Sequence, residues 1–276
     1  MLDQVSSGYY ENKVIDGISF KIEEPAIYVV LGPNGAGKTT LFRTIAGILK
    51  PYNGKIEIGG FPSQGKAARE QLAYLTHIDG IPDGMKVEDA LSFYAGVEQV
   101  GMDAVENVIK LLELEELSQK YFSQLSQGQK KRVSVARVFL REKSVYLLDE
   151  PTANLDPKVS KEIRELILGL SKDRVVLYSS HNLYEAREIG TRVIAITKGK
   201  LALFGKIEEI KTQKYVVGIR IFGENFPEQA KREGDYYLLD LKGPDEVPSL
   251  VSELVSKGVR IREVKEMQNP LEELFT

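Results

Sequence analysis

The sequence predicts an α/β fold with a smaller α+β region at its C-terminal end. Apolar runs rich in β-branched residues, such as Ala26–Leu31 (AIYVVL) and Val175–Ser180 (VVLYSS), are typical of strands buried on both faces of a parallel sheet. Apolar residues at helical spacing follow the first run at Leu41, Ile45 and Ile48, and the next proline is expected to end that helix. Beyond about residue 205 the chain changes to short strand-like and helical stretches.

The length and composition of the chain limit the classes of function that it can have. A chain of 276 residues can bury a full α/β core and carry an appendage, and 42% apolar with 28% charged residues is ordinary for a soluble protein. The formal net charge of −3, without a basic stretch, argues against nucleic acid as a ligand. The absence of cysteine excludes disulfides and thiol catalysis. With no signal-like or membrane-spanning apolar run, we expect a cytoplasmic protein whose membrane role, if any, needs another chain.

The stretch Gly32–Thr40 (GPNGAGKTT) lies between the first buried strand and the helix that follows. Its glycines let the backbone N–H groups turn inward around phosphate, Lys38 can reach the outer phosphates, and the Thr39 hydroxyl can ligate Mg²⁺. A glycine-rich turn that binds nothing is the alternative, and the spacing and flanking elements disfavour it. The predicted cofactor-binding residues of this loop are Asn34, Gly35, Gly37, Lys38, Thr39 and Thr40.

A second strand, Val145–Glu150 (VYLLDE), ends in two carboxylates. Asp149, at the strand end, can hold Mg²⁺ together with Thr39, and Glu150, just past it, can polarise a water that attacks a γ-phosphate. Two surface carboxylates are the alternative interpretation of such a strand. The phosphate loop upstream favours the catalytic one, with Lys38 and Glu150 as catalytic residues.

The segment Leu125–Gln129 (LSQGQ) precedes a helical stretch. A serine hydroxyl and glycine N–H groups at a helix N-terminus form an anion site, here at Ser126, Gly128 and Gln129, separate from the phosphate loop. Taken alone, the segment is more typical of a helix N-cap with a polar turn, and only its place among the other motifs favours an anion site.

In their order along the chain, these motifs resemble the nucleotide-binding subunit of ATP-binding cassette (ABC) transporters, over about residues 1–205. Gly32–Thr40 corresponds to that family's Walker A loop, Leu125–Gln129 to its signature, with Gln127 in place of the first glycine, and Val145–Glu150 to its Walker B strand. Asn154–Asp156 (NLD) corresponds to its D-loop, which adds Asp156 to the nucleotide-binding residues.

The resemblance implies a P-loop NTPase core with an antiparallel β subdomain and a helical subdomain at about residues 78–140. It also implies ATP and Mg²⁺ as cofactors. His181 follows its strand as the family's switch histidine does, which implies that it contacts the γ-phosphate and holds the attacking water with Glu150. Tyr9 lies where the family places an aromatic ring that stacks on adenine; packing of Tyr9 in the core and stacking by Tyr10 are the alternatives.

One departure from the family is His77, which stands where a glutamine is usual. Mg²⁺ prefers oxygen ligands to imidazole, so direct ligation by His77 is not expected. Action through a water and a plain surface position remain open.

The resemblance places the signature of one copy on the nucleotide of another. Lys38, Thr39 and Asp149 of one subunit would then hold ATP with Mg²⁺, while Ser126 and Gly128 of the second reach the γ-phosphate. A transmembrane permease is the implied second partner, docked on the helical subdomain. The chain would accordingly lie in the cytoplasm against the inner face of the cell membrane.

Residues 206–276 predict a small accessory α+β domain. Its strand-like stretches are YVVGIRIF, YYLLDL and VRIREV, and its helical ones are PSLVSELVSKG and a closing NPLEELF with Asn269 as cap and Pro270 at the first position. The tail resembles those of subunits that serve single-chain-permease exporters of the ABC-2 type. A structural or dimer-supporting role is expected, with ligand sensing as the alternative. For the whole chain, the alternative function is a soluble ABC-type ATPase in cofactor or complex assembly.

Overall fold

The computed structural model describes residues 1–153, 155–181, 183–207, 215–222, 226, 230–241 and 246–268. The chain forms two compact units, Met1–Phe204 and Gly205–Thr276. The strands are β1 Leu2–Tyr9, β2 Asn12–Phe20, β3 Ala26–Leu31, β4 Asn53–Ile58, β5 Phe61–Pro62, β6 Leu72–Leu75, β7 Val145–Asp149, β8 Val175–Ser180, β9 Arg192–Thr197, β10 Lys200–Lys206, β11 Tyr215–Ile221, β12 Lys231–Glu233, β13 Tyr236–Leu241 and β14 Ile261–Gln268. The helices are α1 Lys38–Ile45, α2 Lys66–Glu70, α3 Val87–Glu98, α4 Met102–Leu111, α5 Gln127–Phe139, α6 Pro157–Leu170, α7 Leu183–Ile189 and α8 Val247–Ser256, with 3₁₀ turns at Glu115–Leu117 and Phe122–Gln124.

A six-stranded sheet forms the centre of the first unit, in the order β10-β9-β3-β8-β7-β6. The pairs β3–β8, β3–β9, β7–β8 and β6–β7 are all parallel. In register, Leu31 lies opposite Ser180 and Ser179 opposite Asp149, so the carboxyl ends of β3, β8 and β7 meet at one edge. Ligands of open α/β sheets bind at such an edge. The predicted phosphate loop follows β3 there, and the carboxylates Asp149 and Glu150 lie at and just past the end of β7.

A second, antiparallel sheet of the first unit has the order β2-β1-β4-β5. Its apolar residues share one core with α1 and a face of the parallel sheet. Members of this core include Val5, Ile18, Phe42, Leu147 and Ile194, each at most 1% exposed. Burial of side chains of this size contributes roughly 1.5–3 kcal/mol each, which fixes α1 and the loop before it against both sheets.

The helical region between β6 and β7 contains α3, α4 and α5, which pack on one another. The mixed α/β architecture, with its parallel core, antiparallel sheet and helical region, confirms the predicted fold class.

The helix after the phosphate loop is shorter than its periodicity predicts. It ends at Ile45, well before Pro51, because Gly47 adopts a φ of +70°. The N–H of Gly47 donates to Thr44 O, and that of Ile48 to Arg43 O, a Schellman motif that closes the helix. Ile48 therefore lies outside the helix and is 62% exposed, so the predicted extension of the helix through Ile48 to Pro51 is wrong.

The second unit contains an antiparallel sheet in the order β12-β13-β11-β14, with α8 packed on it through Leu254. Val217, Ile219 and Val259 complete its core. The short strand β12 was not predicted. The predicted closing helix, with Asn269 and Pro270, lies outside the described residues, as does Asn154 of the NLD segment. In the described part of the chain, every helix falls short of the length and apolarity that crossing a membrane requires.

Candidate nucleotide site

The loop between β3 and α1 folds around the side chain of Lys38. The ammonium donates hydrogen bonds to Gly32 O at 2.7 Å and Pro33 O at 3.3 Å, and the residue is 6% exposed. Gly37 supports this path with a φ of +107°, and a methyl group there would lie 2.7 Å from Ile15 Cγ2. A residue with a side chain would therefore be strained at position 37.

Burial lowers the pKa of Lys38, and the nearby carboxylates of Glu150 and Asp149 oppose that effect. The cation is thus partly desolvated, with Glu150 Oε1 3.9 Å from Nζ. An anion placed beside the ammonium would stabilise its charged form. The loop is therefore suited to a phosphate group rather than to a neutral ligand.

A cavity of about 190 Å³ opens beside this lysine. It brings together the predicted loop residues and one predicted catalytic residue from a distant part of the chain. Its lining residues are Val14, Asn34, Gly35, Gly37, Lys38, Thr39, Thr40 and Glu150.

Asp149 ends β7 and is fully buried. Ser179, at the same level of the neighbouring strand β8, donates a hydrogen bond to Asp149 Oδ1 at 2.7 Å. Tyr74 of β6 places its hydroxyl 3.5 Å from Oδ2. A carboxylate held from both sides is oriented before any ligand arrives.

Glu150 follows with a φ of +49°, unusual for a residue with a side chain. Its N–H donates to Ser179 Oγ at 2.9 Å. Its Oε1 lies 3.3 Å from His181 Nδ1 and 3.9 Å from Lys38 Nζ. The structure therefore brings together the three predicted catalytic residues, and the Glu150 carboxylate stands between the other two.

The predicted second anion site lies at the N-terminus of α5. Ser126 caps the helix: its Oγ accepts from the N–H of Gln129 at 3.3 Å, and its own N–H donates to Gln129 Oε1 at 3.0 Å. This capping box leaves the Ser126 hydroxyl hydrogen free of that bond. None of these residues is among those that line the cavity beside Lys38.

The N-terminus of α6 lies next to that of α5. Asp156 caps α6 by accepting from the N–H groups of Lys158 and Val159, each at 3.1 Å. A methyl group on Gly128 would lie 3.6 Å from Val159 Cγ2 and 4.0 Å from Asp156 Oδ2. The predicted nucleotide contact Asp156 thus uses its carboxylate within its own chain, beside the signature.

Tyr9 and Tyr10 differ sharply in surroundings. The Tyr9 hydroxyl accepts from Arg43 Nη1 at 2.9 Å, and the guanidinium lies 5.8 Å from the ring centroid. Tyr10, with a φ of +54°, is 97% exposed. The Arg43 guanidinium of α1 therefore contacts Tyr9, while the ring of Tyr10 is open to solvent.

His77 lies just beyond the carboxyl end of β6 and is exposed. The residue of this strand that reaches the Mg²⁺ candidate Asp149 is Tyr74. Burial raises the pKa of the Tyr74 hydroxyl, so it remains protonated and able to donate.

The sequence analysis missed Ser179 and Tyr74. Their signal was available: each lies in a strand next to β7, near the carboxyl end that carries the carboxylates. Which strands neighbour β7, and in which register, is known only from the structure, so the contacts of these two residues with Asp149 could not be predicted.

The ABC transporter family model matches residues 15–153 of this chain, half of its length. The chain belongs to the ABC transporter ATP-binding family. The predicted resemblance to the nucleotide-binding subunit of ABC transporters is therefore confirmed, and the chain is an ATP-binding subunit of that type. Domains of this family are ATPases, which confirms the predicted enzyme class.

Relatives in this family serve transport in both directions. The chain is 30% identical to the uncharacterised ABC transporter ATP-binding protein YhcH of Bacillus subtilis, over 99% of this chain and 93% of the relative. It is 32% identical to the sn-glycerol-3-phosphate import protein UgpC of Chromobacterium violaceum, over 91% and 72%. It is 33% identical to the Nod factor export ATP-binding protein I of Paraburkholderia xenovorans, over 72% and 67%.

Solved ABC ATPase structures share the fold. An ATP-binding subunit of an ABC transporter matches with a TM-score of 0.70 and 25% identity, over 76% of this chain and 90% of that one. The ATP-binding cassette MJ0796, solved as a dimer in a post-hydrolysis state with ADP and phosphate, matches with a TM-score of 0.69 and 22% identity, over 75% and 97%.

Proposed function

We propose that this ABC ATP-binding subunit drives a membrane exporter, and that two copies close on ATP bound with Mg²⁺. The observation that carries the catalytic part is the position of Glu150. Its carboxylate lines the phosphate-loop cavity while lying 3.9 Å from the Lys38 ammonium and 3.3 Å from His181 Nδ1.

The side chains suit a magnesium nucleotide. Among the described residues, no cluster of three or more His, Asp or Glu side chains could hold a metal alone. Mg²⁺ is commonly bound by one or two side chains together with substrate phosphates, and Thr39 and the buried Asp149 are the residues that would contribute here. When bound, the ion supplies neutralisation of charge on the phosphate oxygens.

Hydrolysis assigns distinct tasks to three side chains. Lys38 supplies positive charge to the outer phosphates from a partly desolvated position. Glu150 accepts a proton from the attacking water, and His181 holds that water and the carboxylate in place. The polarised surroundings of Glu150, with a cation and an imidazole on its Oε1 side, support this division.

The signature supports action as a pair. The Ser126 hydroxyl hydrogen and the N–H groups of Gln127 and Gly128 at the start of α5 are not used by the capping box, yet these residues do not line their own chain's phosphate cavity. A second copy can present them to the nucleotide, as in the dimeric state for which the MJ0796 cassette is described. Hydrolysis then removes the phosphate shared by both copies and lets them separate.

A permease partner is supported by exposed apolar side chains in and beside the helical region. Large apolar residues exposed together are typical of a protein-binding surface. Those that are more than half exposed are Ile78, Phe93, Val97, Met102 and Leu111. Docking there would hold this subunit against the inner face of the membrane.

Export is favoured over import by the second unit. Its described residues form one four-stranded sheet and the helix α8. Its sequence resembles the tails of exporter subunits, and it lacks the size of the regulatory domain of carbohydrate importers.

The test of the catalytic proposal is Glu150→Gln, which removes the base but keeps the size of the side chain. We expect ATP binding to persist, turnover to fall by at least about 100-fold, and an ATP-dependent dimer to accumulate in size-exclusion chromatography. Glu142→Gln, a change at an exposed carboxylate paired with Arg174, is the matched control and should behave as wild type.

Turnover that persists in Glu150→Gln would remove this residue from the mechanism. A dimer that never forms in the presence of ATP would instead reject the paired arrangement. The export part is tested separately, by ATP-driven uptake into inverted vesicles that contain the membrane protein copurified with this subunit.

A further inference from the structure

A buried carboxylate, Glu185, lies beside the candidate catalytic pair without belonging to it. Its side chain is 9% exposed. It accepts hydrogen bonds from Ser180 Oγ at 2.7 Å and from Thr152 Oγ1, and Arg164 Nη1 lies 3.5 Å from Oε1. One carboxylate therefore joins β8, the segment after β7, and α6.

Two of these partners lie within two positions of the candidate catalytic residues in the sequence. Thr152 follows Glu150 by two positions, and Ser180 immediately precedes His181. Glu185 thus ties together the two backbone segments whose spacing sets the 3.3 Å approach of Glu150 Oε1 to His181 Nδ1. All five residues line a second cavity of about 370 Å³.

A buried tyrosine extends the cluster. The Tyr178 hydroxyl lies 2.8 Å from Thr152 Oγ1, and its ring is fully buried. Burial raises the pKa of this hydroxyl, and the negative charge of Glu185 adds to the rise. The tyrosine therefore stays protonated and can donate to Thr152, whose own hydrogen is then directed to Glu185.

The charge of Glu185 matters as well as its hydrogen bonds. Arg164 is only 15% exposed, so the guanidinium needs an anion beside it. A neutral side chain at position 185 keeps part of the hydrogen bonding but leaves that cation without its most buried partner. The segments that contain Thr152 and Ser180 would then no longer be held by one charged carboxylate.

We propose that Glu185 is a positioning residue for ATP hydrolysis, which sets the relative placement of Glu150 and His181 through Thr152 and Ser180. This inference rests on the proposed roles of Glu150 and His181. Because Glu185 does not line the phosphate-loop cavity, its removal acts on turnover and leaves ATP binding in place.

The test compares Glu185→Gln with Glu188→Gln. Glu188 lies on the same helix, pairs with the same arginine through Arg164 Nε at 3.1 Å, and is 51% exposed. For Glu185→Gln we expect kcat to fall about 10- to 100-fold with KM for ATP within about threefold of wild type, because misplaced catalytic groups lower kcat. For Glu188→Gln both constants should stay within about twofold.

Turnover within about twofold of wild type in Glu185→Gln would overturn the proposal, as would an equal loss in both variants or a change confined to KM. If circular dichroism shows that Glu185→Gln does not fold, the double variant Thr152→Val with Ser180→Ala takes its place. It should show the same loss of kcat, and an unchanged kcat overturns the proposal.

Glu150→Gln in the same assay separates the two proposals. If it abolishes turnover while Glu185→Gln keeps turnover within about twofold of wild type, only the positioning role fails. If Glu150→Gln itself keeps turnover, the proposed function fails.

Discussion

The hydroxyl of Ser179 holds two neighbouring residues of the site at once. It donates to Asp149 Oδ1 and accepts from the N–H of Glu150. The hydroxyl and its carboxylate acceptor are in a setting with little water, since Asp149 and Ser179 are fully buried. At the scale of single residues, this serine sets the direction of one carboxylate and the backbone of the next.

We expect Ser179→Ala to lower the free energy of unfolding by about 2 kcal/mol, since it leaves a buried carboxylate oxygen and a backbone N–H each short of a partner. Turnover should fall further than stability alone explains, because Glu150 loses its backbone anchor. Urea unfolding and steady-state kinetics measure the two effects.

Ser256→Ala, at an exposed position in α8, is the control and should change stability by less than about 0.5 kcal/mol. A Ser179→Ala protein with wild-type turnover would show that Glu150 keeps its place without this hydroxyl.

Residues that belong to one contiguous motif could be predicted from the sequence. Residues whose role depends on which β-strands pair could not. Lys38 and Thr39 belong to a contiguous loop, so their place in one cavity could be predicted. Ser179 and Tyr74 act on Asp149 only through strand register, which the sequence does not state. Ile48 was misplaced because a local turn at Gly47 overrides helical periodicity.

At the scale of elements, α5 and α6 start side by side, with Gly128 of one near Asp156 and Val159 of the other. The room around Gly128 is large enough for a methyl group, at 3.6 Å or more from its neighbours. A glycine is therefore not required here by the packing of a single chain. The proposed approach of a second copy's phosphate would require it.

We accordingly expect Gly128→Ala to leave the unfolding free energy unchanged or to raise it by up to about 1 kcal/mol, since alanine favours a helix over glycine. ATP-dependent dimerisation should weaken, because the added methyl group occupies the space that phosphate would approach. Thermal unfolding of the nucleotide-free protein and light scattering with ATP measure these effects.

A matched change elsewhere is Gly169→Ala in α6, where a methyl group meets no atom within 4 Å. It should leave dimerisation unaffected. Equal dimerisation of both variants with ATP would contradict a role of Gly128 between copies.

At the scale of the whole molecule, each unit has its own apolar core. The strand β10 belongs with the first core, since Phe204 stacks on Phe20 at 5.5 Å and on Tyr28 at 6.2 Å between ring centroids. A truncated chain that still contains Phe204 should therefore preserve the fold of the first unit.

We expect residues 1–207 alone to unfold cooperatively and to bind ATP with about the affinity of the full chain. Residues 1–199, which lack β10, should be less stable by about 2 kcal/mol, from the lost burial of Phe204. Denaturant unfolding and nucleotide titration compare the fragments. Failure of 1–207 to fold would mean that the first unit depends on the second.

The left-handed backbone at Glu150 has a consequence for directed evolution. A φ of +49° costs roughly 1 kcal/mol or more in any residue that has a Cβ, and glycine is free of that cost. Selection for heat tolerance alone would therefore favour glycine at position 150, and under the proposed role of Glu150 the resulting protein would be stable but inactive. The backbone strain that such a screen removes is the strain at which the proposed base is held, so the trade-off between stability and activity would be confined to one peptide unit.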